Sequence, residues 1–475
     1  MSRLVIVSNR VADLRQSTQS GGLAVGLADA LRERGGVWFG WSGKTVPQRP
    51  ANAAVDEIGN VVMVAADMTP RDHKEYYVGY ANSVLWPMFH YRLDLVKFRP
   101  AYFEGYRRVN EYFARLLVPH LREGDLIWVQ DYHLILAGQH LRRLGCRQRL
   151  GFFLHIPLPP PEMLSASPNH RELIEGLLAY DVVGFQTSAD AGNFKHYLES
   201  TGLAEIVDED HVRYEGRIIV ARRFPIGIDV DSFAAMSSNS PDDVRIDAMR
   251  RDMLGRKQII GVDRLDYSKG LPDRFRAFSR MLERHPDMEK KVTFLQIAPP
   301  TREDVEAYSE IRTELEGLTG AINGRFSDFN WTPIRYIHRS VPREKLAALF
   351  RASRVGLVTP LRDGMNLVAK EFIAAQDGAN PGVLVLSQFA GAAEELQEAL
   401  IVNPYDTDGT ADTIREGLEM PLEERCERHE ALLARIRKQD ARAWLTAFLR
   451  DLDGKADAPP ANDGNNLPDI TIPAA

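Results

Sequence analysis

Short apolar runs rich in β-branched residues recur along this chain, each followed by a longer stretch whose apolar positions repeat at helical spacing. In the first half the runs fall at 4–8, 37–41, 61–65, 126–130, 151–155 and 182–186. They are apolar almost continuously rather than at alternate positions, the pattern of parallel strands covered on both faces. Helical spacing marks 23–34, 102–119 and 134–144 between them. Alternating strand and helix predicts right-handed crossovers and an open α/β sheet.

The text RRFPIGIDVDSF, residues 222–233, leads into the polar stretch SSNSPDD, and a second series of the same kind begins beyond it. Its runs are 259–262, 292–297, 334–337, 355–359, 383–387 and 400–402, followed by a charged helical region over 422–452. The pattern divides the chain into an N-terminal α/β domain, 1–230, and a C-terminal one, 231–452. The remainder, 453–475, is rich in Pro, Asp, Asn and Ala and reads as a disordered tail. Two such domains in tandem leave a cleft between the carboxyl ends of their strands, where ligands bind in open α/β folds.

Composition narrows the class. With 475 residues, 44% hydrophobic and 26% charged, the chain has apolar area for two or three cores. A net charge of -7 offers no basic field for a polyanion and argues against nucleic acid. Two distant cysteines, Cys146 and Cys426, make no disulfide framework and fit a reducing cytoplasm. The start, MSRLVIVSNR, is too short in apolar residues for a signal-peptide core. No run approaches the ~20 apolar residues that span a bilayer, so no membrane association is expected.

Candidate chemistry gathers at strand ends. Arg10 follows the first strand, and Gly21–Gly22 open the helix GGLAVGL. That glycine pair is either a plain turn before a helix or a place where backbone N–H groups approach an anion. Arg264 and Lys269, in VDRLDYSKG, are two cations after the first strand of the second half. They suit a diphosphate, or else pair with Asp263 and Asp266. In TPLRDGMNLVAKEF a strand ends at Thr359, Asp363 and Gly364 form a turn, and a helix begins near Met365 and Asn366. The first N–H groups of that helix, through Leu367 and Val368, are available to phosphate or sugar oxygens, with Glu371 one turn on for ribose hydroxyls.

Asp131 in VQDYH, His155 in FFLHIPLPPPEM and Arg302 in APPTRED also follow strands. His155 alone fits a core histidine as well as a site residue. Trp41, Tyr77 and Trp86 fit either a core or the stacking of sugar rings. No CxxC or HExxH spacing occurs, and the DxD texts at 208–210 and 229–231 read as a solvated loop and a linker, so no metal site is expected.

The segments LVIVSNR, GGLAVGL, WFGWSG, YYVGYANSVLWPMFHYR, WVQDYHL, GFFLHIPLPPPE, DRLDYSKGLPDRF, TPLRDGMNLVAKEF and LSQFAGAAEEL resemble, in order, the retaining trehalose-6-phosphate synthases of glycosyltransferase family 20. The likeness runs from about Arg3 to about Leu449. It implies a glycosyltransferase-B fold, with two Rossmann-like domains facing a central cleft and the last helix crossing back to the first. It also implies an NDP-glucose donor, most often UDP-glucose, a glucose 6-phosphate acceptor, and no cofactor.

Position by position, the resemblance assigns Arg264 and Lys269 to the donor diphosphate and Gly22 to the donor loop. Asp363 to Val368 then contact glucose and phosphate, and Glu371 the ribose. Arg10, Trp41, Tyr77, Trp86 and Arg302 correspond to the acceptor clamp, with Arg10 and Arg302 on the 6-phosphate. Asp131 matches the acceptor-side carboxylate, and His155 the residue near the donor's glucosyl group. The implied reaction is a front-face substitution that retains configuration, catalysed through Asp131, His155, Arg264, Lys269 and Asp363. A homo-oligomer is expected by analogy. No phosphatase segment is found, so a separate trehalose-6-phosphate phosphatase is expected downstream. Two other readings remain at this point: transfer to another phosphorylated acceptor such as glycerol 3-phosphate, and a non-catalytic subunit that binds sugar phosphate.

Overall fold

The computed structural model describes residues 2–11, 27, 31–32, 35–238, 255–301 and 306–454. Most of the predicted helix 23–34, Gly21, Gly22, Arg302 and the tail from 455 lie outside the described residues.

Two sheets organise the chain. The first has ten strands: β1 (Leu4–Arg10), β2 (Gly36–Thr45), β3 (Ala54–Ile58), β4 (Val61–Met68), β5 (Leu126–Gln130), β6 (Arg149–Phe153), β7 (Val182–Phe185), β8 (Glu205–Ile206), β9 (His211–Tyr214) and β10 (Arg217–Arg223). They lie in the order β3-β4-β2-β1-β5-β6-β7-β10-β9-β8. The second has six: β11 (Lys257–Val262), β12 (Val292–Ile297), β13 (Ile334–Ile337), β14 (Val355–Val358), β15 (Val383–Ser387) and β16 (Leu400–Val402), ordered β13-β12-β11-β14-β15-β16. All pairs in the second sheet are parallel, and in the first only β3 with β4 and the β8–β9–β10 rim run antiparallel. The predicted central strands are present. The added rim strands are short and mostly polar, and β3 is almost wholly exposed, so no apolar run announces them.

The central strands are buried along nearly their whole length, as their unbroken apolar texts require. Their parallel arrangement puts Arg10, Gln130, Phe153 and Phe185 on one edge of the first sheet, and Val262 and Val358 on the corresponding edge of the second. The region 422–452 forms two helices, Leu422–Lys438 and Ala441–Leu452. They part at Gln439–Asp440, where the Asp440 carboxylate accepts from the Ala443 N–H at 2.7 Å and caps the second helix.

That last helix docks on the first sheet. Trp444 and Phe448 lie 4.9 and 4.3 Å, centroid to centroid, from Trp128 of β5. A side chain at Gly184 would strike Phe448, so the glycine admits the ring against the strand. Burying each ring contributes about 2 kcal/mol. Arg149 donates to the Leu452 carbonyl at 3.0 Å, and Arg222 pairs with Asp451 at 2.7 Å. The chain thus passes between the sheets twice, near Gly227 and near Asp440. These passages touch back to back: Ala441 N–H donates to Ile228 O at 3.2 Å, and a Cβ on Gly227 would meet the backbone of Gln439 and Asp440.

Candidate active site

On the first sheet's edge, Arg10 at the end of β1 carries its guanidinium carbon 5.7 Å from the centre of the Trp41 ring. Trp41 lies 5.9 Å from Tyr77, whose ring stacks on His133 at 5.9 Å and 10°. Tyr77 sits in a widened helix, His73–Leu85, in which Asn82 and Ser83 side chains donate to carbonyls five residues back. Such wide turns are rare and frequently mark functional sites. Asp131 follows β5 with φ 73° and ψ 166°, a conformation that ordinarily needs glycine. Its Oδ1 accepts from the His155 backbone N–H at 3.1 Å. The structure therefore brings Arg10, Trp41, Tyr77 and Asp131 to one edge.

On the second sheet's edge, Lys269 donates to Asp363 Oδ2 at 2.5 Å, and Asn366 Nδ2 donates to the same oxygen at 2.9 Å. Asn366 caps the helix Leu367–Ala375, with φ 83° and its Oδ1 accepting from the Ala369 N–H at 3.2 Å. The N–H groups at the start of that helix are the ones its geometry leaves for an anion. Glu371 accepts from Arg343 at 3.2 Å; burial pushes its carboxyl up while Arg343 pulls it down. The acidic alternatives for Arg264 and Lys269 have other partners. Asp263 pairs with Arg274 at 2.8 Å, and Asp266 accepts from Ser268 at 3.0 Å and Tyr308 at 3.1 Å.

The two edges meet. A Cβ on Gly364 would collide with the His155 carbonyl oxygen, so only glycine lets the turn after β14 seat against the end of the first sheet. Trp86, 5% exposed, donates its indole N–H to Asp266 at 3.4 Å and lies under the Arg264 guanidinium at 5.7 Å. Its buried position gives it a packing role between the halves. Arg362 lies 3.8 Å from the centre of the Tyr91 ring and 5.7 Å from that of Phe389, a second bridge between the halves. This arrangement can hold a diphosphate and a sugar side by side, with cations and helix N–H groups taking the developing negative charge.

The half-buried His155 ring lies between two glutamines: Nε2 is 2.9 Å from Gln130 Oε1, and Nδ1 is 3.4 Å from Gln186 Nε2. Burial depresses its pKa to about 3, and that of His90, whose ring centre lies 4.1 Å from that of Trp86, to about 4. Asp190, buried beneath the cleft, is pushed up to about 6 by burial. Gln130, Gln186, His90 and Arg362 escaped the sequence reading. Gln130 and Gln186 stand at strand ends, and Arg362 directly precedes Asp363, so position was their only signal. The two DxD texts are local caps: Asp208 accepts from Asp210 and His211 N–H groups, and Asp229 from the Ser232 N–H. Among the described residues no His/Cys/Asp/Glu cluster suits a metal, and no helix is long and apolar enough to cross a membrane.

Two parallel α/β halves whose facing strand ends carry Arg10, Arg264, Lys269 and a capped helix start fit the glycosyltransferases of the GT-B class, and the model of glycosyltransferase family 20 matches residues 3–454: the chain belongs to that family. It is 47% identical to the trehalose-6-phosphate synthase of Enterobacter sp. (strain 638), over 95% of each chain. Among solved structures it is similar to an α,α-trehalose-phosphate synthase (UDP-forming) from Burkholderia xenovorans in complex with glucose-6-phosphate, at 50% identity and a TM-score of 0.90, covering 95% of this chain and 100% of that one. A structure from E. coli bound with UDP-2-fluoro glucose is 45% identical, with a TM-score of 0.91 over 95% of this chain and 99% of that one.

Proposed function

We propose that this protein is a retaining glucosyltransferase that makes α,α-trehalose 6-phosphate from UDP-glucose and glucose 6-phosphate. The observation that carries the reading is the juxtaposition of Lys269, Arg264 and the capped N-terminus at Asn366 with the Arg10–Trp41–Tyr77–Asp131 cluster, joined where Gly364 meets His155. The relatives crystallised with glucose-6-phosphate and with UDP-2-fluoro glucose support the same pair of ligands.

The N-terminal domain, 1–230, holds the acceptor, and the C-terminal domain, 231–452, the donor. Arg264 and Lys269 bind the diphosphate; Asp363, the backbone of 364–368 and Gly22 line the glucosyl and phosphate groups; Glu371 takes the ribose. Arg10 and Arg302 hold the acceptor's phosphate, while Tyr77, Trp41, Trp86 and Asp131 orient its hexose. Lys269 exchanges its Asp363 contact for phosphate as the donor arrives. The acceptor hydroxyl attacks C1 from the face the diphosphate leaves, and a leaving-group oxygen takes its proton. The protein supplies position and charge stabilisation. His155, held neutral, adds no cation beside an oxocarbenium-like carbon. The enzyme works in the cytoplasm as a homo-oligomer, and a separate phosphatase removes the 6-phosphate.

The test is a product assay with glucose 6-phosphate and, separately, UDP-, ADP- and GDP-glucose. Nucleoside diphosphate released together with an α,α-linked disaccharide phosphate is the expected result, fastest with UDP-glucose. Donor consumption only with another phosphorylated acceptor, or donor binding without turnover, would overturn it.

A further inference from the structure

Resting on the glucosyltransferase reading for its kinetic arm, we infer that Gln186 is a positioning residue that fixes the ring orientation and tautomer of His155 and ties both to the passage between the two halves.

The argument starts from a proton count. Gln186 follows β7, and its Oε1 accepts from the Ile226 backbone N–H at 3.0 Å. A backbone N–H only donates, so the oxygen of the Gln186 amide must face Ile226 and its NH2 must face His155. That NH2 group lies 3.4 Å from His155 Nδ1, which therefore accepts. A neutral imidazole carries one proton, so that proton sits on Nε2 and is donated to Gln130 Oε1 at 2.9 Å. The same logic orients Gln130, whose Nε2 is left buried without a partner among the described residues. One backbone N–H at residue 226 thus dictates the state of the ring, through two side-chain amides.

Ile226 is held from the other side as well. Its carbonyl accepts from Lys370 Nζ at 2.8 Å, and Lys370 pairs with Glu395 at 2.6 Å in the buried interior. Lys370 lies on the helix Leu367–Ala375, whose first turn faces the cleft. Arg223, at the end of β10, donates to Glu395 at 3.1 Å. The helix proposed to bind the donor and the ring proposed to sit beside its glucosyl group are therefore fastened to one residue of the passage. A shift of that helix against the first sheet is transmitted to His155 by the Ile226 backbone rather than by ligand contact. Neither glutamine touches the cleft chemistry directly; each acts through His155.

The experiment uses the full chain with 15N-labelled histidines. The His155 ring signals are assigned by their loss in His155→Gln, and wild type is compared with Gln186→Met and Gln186→Glu. Met keeps the length and removes both hydrogen bonds. Glu keeps the acceptor for Ile226 and removes the donor to Nδ1. In wild type near neutral pH the protonated ring nitrogen is Nε2. Gln186→Met is expected to give a mixture of tautomers, and Gln186→Glu to move the proton onto Nδ1. In both variants kcat falls about ten- to a hundredfold, the usual scale for residues that orient a ligating or reacting group, while both KM values stay within about threefold. An unchanged His155 tautomer in the variants overturns the inference, as does a normal kcat in a variant whose tautomer has changed. If Gln186→Met fails to fold, Gln186→Glu decides alone. Failure of the glucosyltransferase reading is distinct: wild type would then turn over none of the donor and acceptor pairs, and the tautomer would still report on Gln186.

Discussion

Asp131 holds φ 73° and ψ 166°, where a side chain ordinarily costs about 1–3 kcal/mol. The cost is accepted because the carboxylate must stand at the end of β5 and still receive the His155 N–H at 3.1 Å. Asparagine retains a side-chain oxygen for that N–H and tolerates unusual backbone well, so Asp131→Asn is expected to fold with stability within about 0.5 kcal/mol of wild type. It loses the charge proposed to orient the acceptor, and kcat/KM for glucose 6-phosphate should fall about a hundredfold or more. Near-normal turnover with unchanged acceptor binding would remove Asp131 from its proposed role. At this scale several charged residues that follow strands were legible: Asp131, Arg264, Lys269 and Asp363 all stand where the strand ends of the two halves come together. Gln130 and Gln186 were not legible. An uncharged amide at the end of an apolar run has no charge or spacing to mark it, and its meaning lies in the groups it bonds.

Among the elements, the helix Leu367–Ala375 depends on one residue. Asn366 is left-handed at φ 83°, caps Ala369 and donates to Asp363. Asn366→Ala should cost about 2 kcal/mol, roughly half from the lost cap and half because alanine lacks the local polar side chain that lets asparagine tolerate left-handed backbone. Asn366→Gly should recover stability to within about 0.5 kcal/mol, because glycine adopts the turn freely. Neither restores the tie to Asp363, so both are expected to raise the donor KM. Denaturant midpoints together with donor kinetics separate the two effects, and equal destabilisation by both would refute the backbone part. The Asp-Gly turn and the helix start were readable in TPLRDGMN. The widening of His73–Leu85 was not, since its apolar positions fit an ordinary helix equally well. The break at Gln439–Asp440 was also missed: the charged stretch runs on through it, and only the Asp440 cap reveals where one helix stops.

For the molecule as a whole, buried titratable groups at the meeting of the halves set a response to acid. Burial holds His155 near 3 and His90 near 4, below the 6.5 of an exposed histidine. As pH falls below 6.5 the unfolded chain gains two protons that the native state refuses until lower pH, so these groups lower stability on acidification. Asp190 opposes them: pushed up to about 6 by burial, it takes its proton in the native state first. Asp190→Asn removes that offset, and stability should fall more steeply between about pH 6 and 4, by ~1.4 kcal/mol per pH unit relative to wild type. Urea unfolding at about pH 6 and about pH 5 measures the difference; identical slopes would show that Asp190 titrates normally. The doubled α/β architecture was plain from the repeated apolar runs. The return of the last helix to the first sheet came from the family likeness, not from any local pattern. That return also bears on how the chain comes into being. The first sheet ends with β10 at Arg223, yet Trp128 is covered by Trp444 and Phe448. While the chain is still emerging from the ribosome, the first half carries a bare aromatic floor until the helix Ala441–Leu452, more than two hundred residues further on, has been made. Its completion therefore waits on synthesis of that later helix, and until then that floor is a natural place for a chaperone to hold.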